Sequence, residues 1–381
     1  MRSSHVEGVR LAGLACAVPD VSVTTADDAR IFGEPEMQKI SQATGIRERR
    51  VAPPGICTSD LCAAAAEALF AEADVDRGTV DAVILVTQTP DYILPATACS
   101  LHSRLGLSEG CAAFDVNLGC SGYTYGLWMA AHLLAGGAAN RILLLAGEIA
   151  SRRVGARDRS ARPLFGDAGT ATLLERSPAA GRMSFRYGSD GAGQNALIVP
   201  AGGFRLPDSE ATRVPRKDDS GNERSLGDVY MDGAEVFSFT LSRVPAMLRE
   251  ATADAGWTIE EVDEFVLHQA NEFMLKNLAR SAKISLDKLP LSLERFGNTS
   301  SASIPLTLAT TMRERLLAGP RKLVLCGFGV GLSWSSAAFV SEGLRLAPLV
   351  EVPCADLLRE LYSAGSETSH LPDSVRGAFH G

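Results

Sequence analysis

The chain has 381 residues, of which 46% are hydrophobic and 6% aromatic, and it carries a formal net charge of −8. An acidic average lacks the clustered Lys and Arg that bind phosphate backbones, so we expect no nucleic-acid partner. No stretch approaches the roughly 18 consecutive apolar residues of a membrane span, and the first residues lack the apolar core of a secretory signal, so a cytoplasmic location without membrane contact is expected.

Short apolar runs alternate with longer stretches rich in Ala and Leu along the chain. The short runs predict strands that are buried on both faces, and the longer stretches predict helices. In chain order the predicted elements are the helix 60–71, the strand 83–86, the helix 123–134, the strand 142–146, the helix 237–253, the strand 265–267, the helices 272–282 and 306–317, and the strand 323–326. A polar stretch at 202–228 predicts a surface loop, and the segment after Leu346 predicts an appendage with a short helix over 355–362. The alternation favours a layered α/β architecture.

Two segments of the first half recur in the second half. Residues 80–85 (VDAVIL) resemble 262–267 (VDEFVL) at an offset of 262 − 80 = 182, and 141–147 (RILLLAG) resemble 321–327 (RKLVLCG) at an offset of 321 − 141 = 180. The nearly equal offsets predict a duplicated half with a seam within 175–182, unless two buried strands resemble each other by chance. The predicted units are therefore 1–176, 177–346 and an extension, 347–381, of unknown role.

One cysteine differs from the other seven in its setting. The eight cysteines, at positions 16, 57, 62, 99, 111, 120, 326 and 354, show no Cys-x-x-Cys pair and no zinc spacing, so reduced thiols and no metal site are expected. Cys120 lies in Gly-Cys-Ser-Gly between a short apolar strand and a long apolar helix. Glycines permit a sharp turn, and a helix N-terminus favours the thiolate. The setting predicts a nucleophile, and the alternative is a buried structural cysteine.

Three further segments carry candidate polar groups. His268 ends the strand 265–267, and open α/β sheets place reacting groups at the carboxyl ends of strands. Asn298 lies in a loop of small residues, 295–305, and the glycine-rich segment 327–334 directly follows the last predicted strand. Backbone N–H groups of such a loop can stabilise an oxyanion. Taken singly, a core histidine, a turn asparagine and a plain glycine turn are the alternatives.

Together, the segments 115–123, 268–271, 297–300 and 327–334 closely resemble the signatures of the β-ketoacyl-acyl carrier protein synthase III family, in the same order. Similarity at 44–49, 165–169 and 231–237 extends the resemblance over about 9–340. The resemblance implies an α/β thiolase-like fold, with duplicated halves in a five-layer α-β-α-β-α sandwich, and usually a homodimer.

The resemblance also implies roles for particular residues. In that family the residues matching Cys120, His268 and Asn298 are the nucleophile and the paired donors that promote decarboxylation and stabilise the enolate. The backbone N–H groups of Cys120 and Val330 match the oxyanion hole. The implied reaction transfers an acyl group from a CoA or carrier-protein thioester to Cys120. Condensation with a malonyl-type thioester then gives a β-ketoacyl thioester, and no cofactor stays bound.

Substrate or CoA contacts are implied for Arg159, Phe237, Asn271 and Leu94. CoA-primed members often carry Trp and Arg where Lys39 and Ala43 stand here, so an acyl group delivered on a carrier protein is an alternative to acyl-CoA.

A basic face on the helix 272–282 is a candidate docking surface. Lys276 and Arg280 are four residues apart and share this face, with Lys283 close by. Such a patch would attract an acidic acyl carrier protein, and an ordinary solvated face is the alternative.

Three other functions compete with condensation. An acyltransferase of the same fold would pass the acyl group to a hydroxyl or amine, and an Asp in place of Asn298 would favour it. An inactive scaffold would grip acyl chains or carrier proteins without using its reactive residues. A cysteine hydrolase would use the same residue types, but the apolar helix after Cys120 predicts exclusion of water. Acyl length and the choice between fatty-acid and specialised pathways stay open.

Overall fold

A computed structural model describes residues 2–362, with side chains described up to residue 359. The strands are β1 (Arg2–Val6), β2 (Val9–Pro19), β3 (Ser22–Thr24), β4 (Glu48–Arg50), β5 (Ala82–Val86), β6 (Ala112–Val116), β7 (Arg141–Glu148), β8 (Ala168–Arg176), β9 (Met183–Ser189), β10 (Leu197–Ile198), β11 (Arg216–Lys217), β12 (Glu223–Arg224), β13 (Tyr230–Met231), β14 (Glu264–Leu267), β15 (Arg321–Gly329), β16 (Ser333–Ser341), β17 (Arg345–Leu346) and β18 (Val350–Val352). The α-helices are α1 (Thr25–Phe32), α2 (Glu34–Thr44), α3 (Thr58–Ala73), α4 (Thr97–Arg104), α5 (Gly122–Ala135), α6 (Glu210–Arg213), α7 (Gly233–Asp254), α8 (Glu272–Ala282), α9 (Leu293–Phe296), α10 (Ser303–Ala309), α11 (Arg313–Leu317) and α12 (Cys354–Tyr362).

Two large mixed sheets repeat one strand order. The first sheet runs β17-β2-β8-β7-β5-β6, with β18 also on β2, and the second runs β1-β9-β16-β15-β14. In β2-β8-β7-β5 and in β9-β16-β15-β14 alike, two antiparallel pairings are followed by one parallel pairing. The chain passes from the first sheet to the second between Arg176 and Met183, inside the predicted seam. The duplication predicted from sequence is therefore confirmed.

The repeat also has a detailed counterpart at the starts of its strands. The Asp81 carboxylate accepts the N–H of Arg141 at 3.0 Å, and the Asp263 carboxylate accepts the N–H of Lys322 at 2.7 Å. Asp81 and Asp263 thus make the same hydrogen bond, from a neighbouring strand's backbone N–H to the carboxylate, in the two halves. The structural counterpart of Arg141 is therefore Lys322, so the sequence match of Arg141 with Arg321 is one residue out of register.

Helices and sheets stack as five layers around three hydrophobic clusters of the described residues. Helix α3 packs on the outer face of the first sheet, α5 and α10 lie between the sheets, and α7 packs on the outer face of the second. Helix α5 can lie close to the first sheet because Gly126 has no side chain. A Cβ at this position would come 2.7 Å from the Leu144 side chain. Burying a Leu side chain completely contributes about 1.5–3 kcal/mol, so the clusters fix the layers firmly.

Several sequence expectations need correction. The predicted helix 306–317 is two helices, α10 and α11, because the backbone leaves regular helical geometry at Thr310, which has φ −110° and ψ −77°. The segment after Leu346 is not a free appendage: β18 pairs with β2, and Val352 and Cys354 are buried. At the other end of the chain, β1 pairs with β9 in the second sheet, so each terminal segment crosses to the opposite half. The rest of the predicted extension, from residue 363 onward, lies outside the described residues.

The predicted polar loop at 202–228 contains α6 and a short hairpin of β11 and β12, and most of its residues are exposed. Within residues 2–362, no three His, Cys, Asp or Glu side chains lie close enough to hold a metal ion. No helix in the same range combines the length and apolarity needed to span a membrane.

Candidate active site

Cys120 lies in the tight turn between β6 and α5. The N–H of Gly122 donates to the carbonyl oxygen of Gly119 at 2.7 Å and closes the turn. A Cβ at position 119 would meet the Gln88 side chain and lie 3.0 Å from Val330, so the turn has no spare room. Only 7% of Cys120 is exposed, at the N-terminus of an apolar helix. The sequence pattern of strand, glycine turn and helix thus produces a buried thiol.

The end of β15 and the glycine loop after it cover the thiol. Gly329 has φ +154°, and a Cβ at this position would lie 3.0 Å from the Cys120 Sγ. The backbone of Val330 and that of Cys120 itself hydrogen-bond to the sulfur. The two N–H groups that the sequence matched to an oxyanion hole therefore face the Cys120 sulfur.

Burial controls the ionisation of this thiol. It raises the pKa of Cys120 to about 11, against the opposing effect of hydrogen bonds from the Ser300 hydroxyl and the Val330 backbone. The sequence predicted that the helix N-terminus would favour a thiolate. This expectation was wrong for the free protein, because burial raises the pKa and the thiol stays protonated near neutral pH.

His268 directly follows β14, next to the strand that carries the glycine loop. Its N–H donates to the carbonyl oxygen of Cys326 at 2.8 Å, and the residue is 2% exposed. The imidazole meets the Phe328 ring edge to face, with ring centroids 5.5 Å apart. Burial lowers the pKa of His268 to about 4, and a hydrogen bond to the Ser300 backbone opposes the shift. The ring is therefore neutral at physiological pH.

The Ser303 hydroxyl is the hydrogen-bond partner of the His268 Nδ1. The Ser303 Oγ accepts the N–H of Gln269 at 3.3 Å and lies 2.8 Å from the His268 Nδ1. Because the hydroxyl already accepts a backbone proton, its own hydrogen is free to be donated to Nδ1. A neutral ring that accepts at Nδ1 carries its hydrogen on Nε2. With the Ser303 hydroxyl as donor to Nδ1, the Nε2–H is the group of the ring that can donate.

Asn298 is held by its backbone and oriented by its side chain. Its N–H donates to the carbonyl oxygen of Leu164 at 2.8 Å, and its own carbonyl oxygen accepts the N–H of Gly166 at 3.0 Å. The side-chain Oδ1 accepts the N–H of Ser300 at 2.9 Å. With the amide oxygen engaged, the carboxamide NH2 is the group left to meet a substrate.

Ser300 connects the three predicted residues and was missed by sequence reasoning. Its hydroxyl lies 3.8 Å from the Cys120 sulfur, and its backbone bonds both His268 and the Asn298 side chain. Ser300 is 7% exposed and has φ +50°, a left-handed conformation that serine rarely adopts. Strained backbone of this kind clusters at functional sites. The structure therefore brings thiol, imidazole and carboxamide together around one serine.

Glu148, at the end of β7, is a buried acid that the sequence did not single out. Burial raises its pKa to about 7, while hydrogen bonds from Thr89 and the Gln88 N–H oppose the rise. Those bonds measure 2.8 Å and 3.0 Å. Its negative charge contributes to the raised pKa of Cys120. The sequence alone does not mark Glu148 as a site residue. It follows an apolar run, and the point at which that strand ends is not known until the sheet is known.

The residues matched to substrate contacts lie in varied settings. Asn271 caps α8 by accepting the N–H of Met274 at 2.8 Å, and Phe237 stacks on Phe273 with centroids 5.8 Å apart. Arg159 pairs with Glu36 at 3.5 Å. Arg159 also lines a surface hollow with Arg157 and Lys217. Leu94 is 78% exposed. Asn271 therefore has a structural role as the N-cap of α8, apart from any contact with substrate.

The predicted docking surface is only partly free. Lys276 forms an ion pair with Glu272 at 2.6 Å on the same helix. Arg280 and Lys283 are exposed, near the C-terminus of α8. Positive charge available to a partner is thus concentrated at that end of the helix.

Known proteins match most of the chain. Family models described as 3-oxoacyl-[acyl-carrier-protein (ACP)] synthase III match residues 114–191, and the C-terminal model of the same name matches 252–340. The β-ketoacyl-[acyl-carrier-protein] synthase III of Roseiflexus sp. (strain RS-1) is 37% identical over 328 residues, which are 86% of this chain and 96% of that protein.

Solved structures agree with the sequence matches. A 3-oxoacyl-(acyl-carrier protein) synthase from Burkholderia xenovorans LB400 superposes with a TM-score of 0.87 at 39% identity, over 92% of this chain and 99% of that one. The priming β-ketosynthase from the R1128 polyketide biosynthetic pathway gives a TM-score of 0.74 at 27% identity, over 90% and 98% of the two chains. With this fold and this extent of identity, the chain belongs to the β-ketoacyl-[acyl-carrier-protein] synthase III family.

Proposed function

We propose that the protein is a condensing enzyme that loads an acyl group onto Cys120 and extends it with a malonyl-type unit held on an acyl carrier protein. The observation that carries the proposal is the convergence of Cys120, His268 and Asn298 on Ser300 inside a buried site. The sequence similarity to β-ketoacyl-[acyl-carrier-protein] synthases III supports the same reaction.

The first step is thioester exchange. The Cys120 sulfur attacks the carbonyl carbon of the acyl donor, a new C–S bond forms, and the old C–S bond breaks. Because the pKa of the free thiol is about 11, its proton leaves during the attack and ends on the departing thiol. The N–H groups of Cys120 and Val330 stabilise the negative charge on the carbonyl oxygen. The acyl group stays activated because one thioester replaces another.

The second step needs donors that carry no charge of their own. Cleavage of the malonyl C–C bond releases CO2 and leaves an electron pair that delocalises onto the thioester oxygen. The His268 Nε2–H and the Asn298 NH2 donate hydrogen bonds to this enolate. Its carbon then attacks the acyl-Cys120 carbonyl, the new C–C bond forms, and the Cys120 sulfur leaves as a thiolate. This thiolate takes up a proton from solvent and regenerates the thiol, whose pKa is about 11. A neutral imidazole, with a pKa of about 4, suits a donor that must not give its proton away.

The delivery of substrate is the next part of the proposal. We propose that both donor and extender arrive as phosphopantetheine thioesters, on CoA or on a carrier protein, with Arg159, Phe237, Asn271 and Leu94 as contacts. Arg280 and Lys283, together with Lys276, form the proposed docking surface for the acidic carrier. The similarity to the R1128 priming enzyme keeps both fatty-acid and polyketide priming within the proposal.

The assembly we propose is a cytoplasmic homodimer, whose units are a first half near 1–176, a second half near 177–346 and a C-terminal extension. Among the described residues no strand pairs with the outer edge of β6. Ile93 and Leu94, in the loop between β5 and α4, are each 78% exposed. An open strand edge beside exposed apolar side chains favours pairing with a second copy.

Intact-protein mass spectrometry with a panel of acyl-CoA and acyl-carrier thioesters, followed by malonyl-carrier protein, tests the proposal. We expect an acyl adduct on Cys120, then CO2 and a β-ketoacyl-carrier product. Cys120→Ala should lose the adduct completely, and an undiminished adduct would refute the nucleophile. Acyl-Cys120 that gives an ester or amide and no CO2 would instead identify an acyltransferase.

A further inference from the structure

A buried ion pair lies behind the loop that carries Asn298. Asp28 in α1 and Arg49 in β4 are 1% and 4% exposed and bond to each other through their side chains. Arg162 adds a second, outer contact to Asp28 at 3.1 Å. The chemistry proposed above makes no use of these charges, so their place in the fold needs another reason.

Arg49 reaches the neighbourhood of Asn298 in two ways. Its Nη1 donates to the carbonyl oxygen of Phe165 at 3.3 Å. Its aliphatic stem lies against Gly297, where a Cβ would come 2.9 Å from the Arg49 Cγ and 2.6 Å from the Leu164 carbonyl oxygen. Gly297 has φ +64°, so the residue before Asn298 is fitted closely to Arg49.

The segment that Arg49 holds is the one that binds Asn298. Phe165 and Asn298 form an isolated parallel bridge between the two halves. Through it, Asn298 bonds Leu164 on one side of Phe165 and Gly166 on the other. A displacement of the Phe165 carbonyl is therefore transmitted directly to the backbone of Asn298.

Because Arg49 and Asp28 are buried and paired, they can hold the neighbouring backbone of Phe165 and Gly297 in place. Removal from water lowers the pKa of Arg49, and the Asp28 charge opposes this effect. A buried ion pair adds little net stability, but loss of one partner leaves an uncompensated charge. The planar guanidinium fixes the directions of its N–H groups, which a flexible Lys ammonium does not do.

We propose that Arg49, oriented by Asp28, is a positioning residue that sets the Asn298 carboxamide for decarboxylation of the extender. The inference rests on the proposed function. Acylation of Cys120 uses the sulfur and the two backbone N–H groups, whereas decarboxylation uses Asn298. Disturbing Arg49 should therefore separate the two half-reactions, which a general loss of stability would not do.

The experiment compares both half-reactions in the full-length enzyme and in Arg49→Lys. Single-turnover mass spectrometry reports acyl-Cys120, and CO2 release from malonyl-carrier protein by pre-acylated enzyme reports decarboxylation. We expect CO2 release to fall about 100-fold, as a misplacement of about 1 Å can cause, with acylation within about threefold of wild type. Equal losses in both half-reactions, or no loss in either, would overturn the proposal.

Two further variants keep the test decisive if Arg49→Lys folds poorly. Gly297→Ala pushes on the same loop without removing a charge, so it should reproduce the selective loss of CO2 release. The Arg162 side chain is the outer partner of Asp28 and is 31% exposed. Arg162→Ala should therefore leave both half-reactions near wild type. A loss in Arg162→Ala as large as that in Arg49→Lys would contradict the specific role of Arg49.

Hydrogen exchange provides a readout that does not need turnover. The N–H of Asn298, bonded to Leu164, should exchange faster in Arg49→Lys than in wild type or Arg162→Ala. Unchanged exchange in the peptide 293–303 would reject the positioning role. If the wild-type enzyme releases no CO2, the proposed function fails, and exchange alone decides the role of Arg49.

Discussion

Burial decides the charge states of two residues of the proposed site, Cys120 and His268. The thiol has its pKa raised to about 11 and the imidazole has its pKa lowered to about 4, so both are neutral across the physiological range. A thiolate paired with an imidazolium, which a cysteine hydrolase uses, would need the opposite shifts. The two shifted pKa values therefore favour an enzyme whose thiol loses its proton only when a thioester is bound.

This neutrality predicts how Cys120 reacts with iodoacetamide in the free enzyme. Only the thiolate reacts, so the rate should rise about tenfold per pH unit between about pH 7 and about pH 10, below the pKa of about 11. Ser300→Ala removes a hydrogen bond that lowers this pKa, so the rate at each pH should fall roughly three- to tenfold. Peptide mass spectrometry of alkylated Cys120 measures both effects.

Alkylation of the exposed Cys99 in the same samples shows that the reagent is active at each pH. A plateau in the Cys120 rate below about pH 8 would mean that the thiol is already ionised near neutrality, against the effect of burial.

At the scale of elements, the end of β15 lies so close to Cys120 that one added methyl group should displace the sulfur. In Gly329→Ala, the new Cβ would lie 2.8 Å from the Cys120 Cβ and 3.0 Å from its sulfur. We expect acylation of Cys120 to fall about 100-fold, because the sulfur and the Val330 N–H move apart. The rate of acyl-enzyme formation, followed by intact mass spectrometry, measures the loss.

Gly319→Ala is the matched control, since Gly319 has φ +157°, close to the +154° of Gly329, but no atom within 4 Å of its added Cβ. It carries the same backbone strain without the collision, so its acylation rate should stay near wild type. Similar losses in both variants would attribute the effect to strain and not to contact with Cys120.

The elements also show which parts of the fold the sequence could supply. The apolar run 142–146 predicted β7 correctly, because a strand that is buried on both faces is apolar throughout. The run SWSSAAFVS of β16 was missed because serines interrupt its apolar pattern. Two of these serines bond at the start of α5: the Ser333 hydroxyl lies 2.7 Å from that of Ser121, and the Ser335 hydroxyl donates to the Ser121 carbonyl oxygen at 3.0 Å. Local pattern and family resemblance singled out Cys120, His268 and Asn298 as candidates, whereas Ser300 and Glu148 become candidates only when both halves are in place.

At the scale of the whole molecule, duplication leaves the two sheets with different edges. In the second sheet β14 follows β15 at the edge, whereas in the first sheet β6 extends beyond β5. Within residues 2–362 the outer edge of β6 has no partner strand, and Ile93 and Leu94 in the loop after β5 are exposed. Natural proteins rarely leave such an edge bare, so a second copy related by a two-fold axis is the expected cover.

A charge placed on this edge should separate the copies. Ile93→Asp puts a carboxylate where the side chain is 78% exposed in the single chain, so it should leave the folded chain intact while burying an unpaired charge in a dimer. We expect sedimentation velocity to show a dimer for wild type and a monomer for Ile93→Asp. Leu317→Asp, at a residue that is 53% exposed and precedes β15 at the end away from Cys120, should remain dimeric. A monomeric wild type, or a dimer that survives Ile93→Asp unchanged, would show that the β6 edge is not the interface.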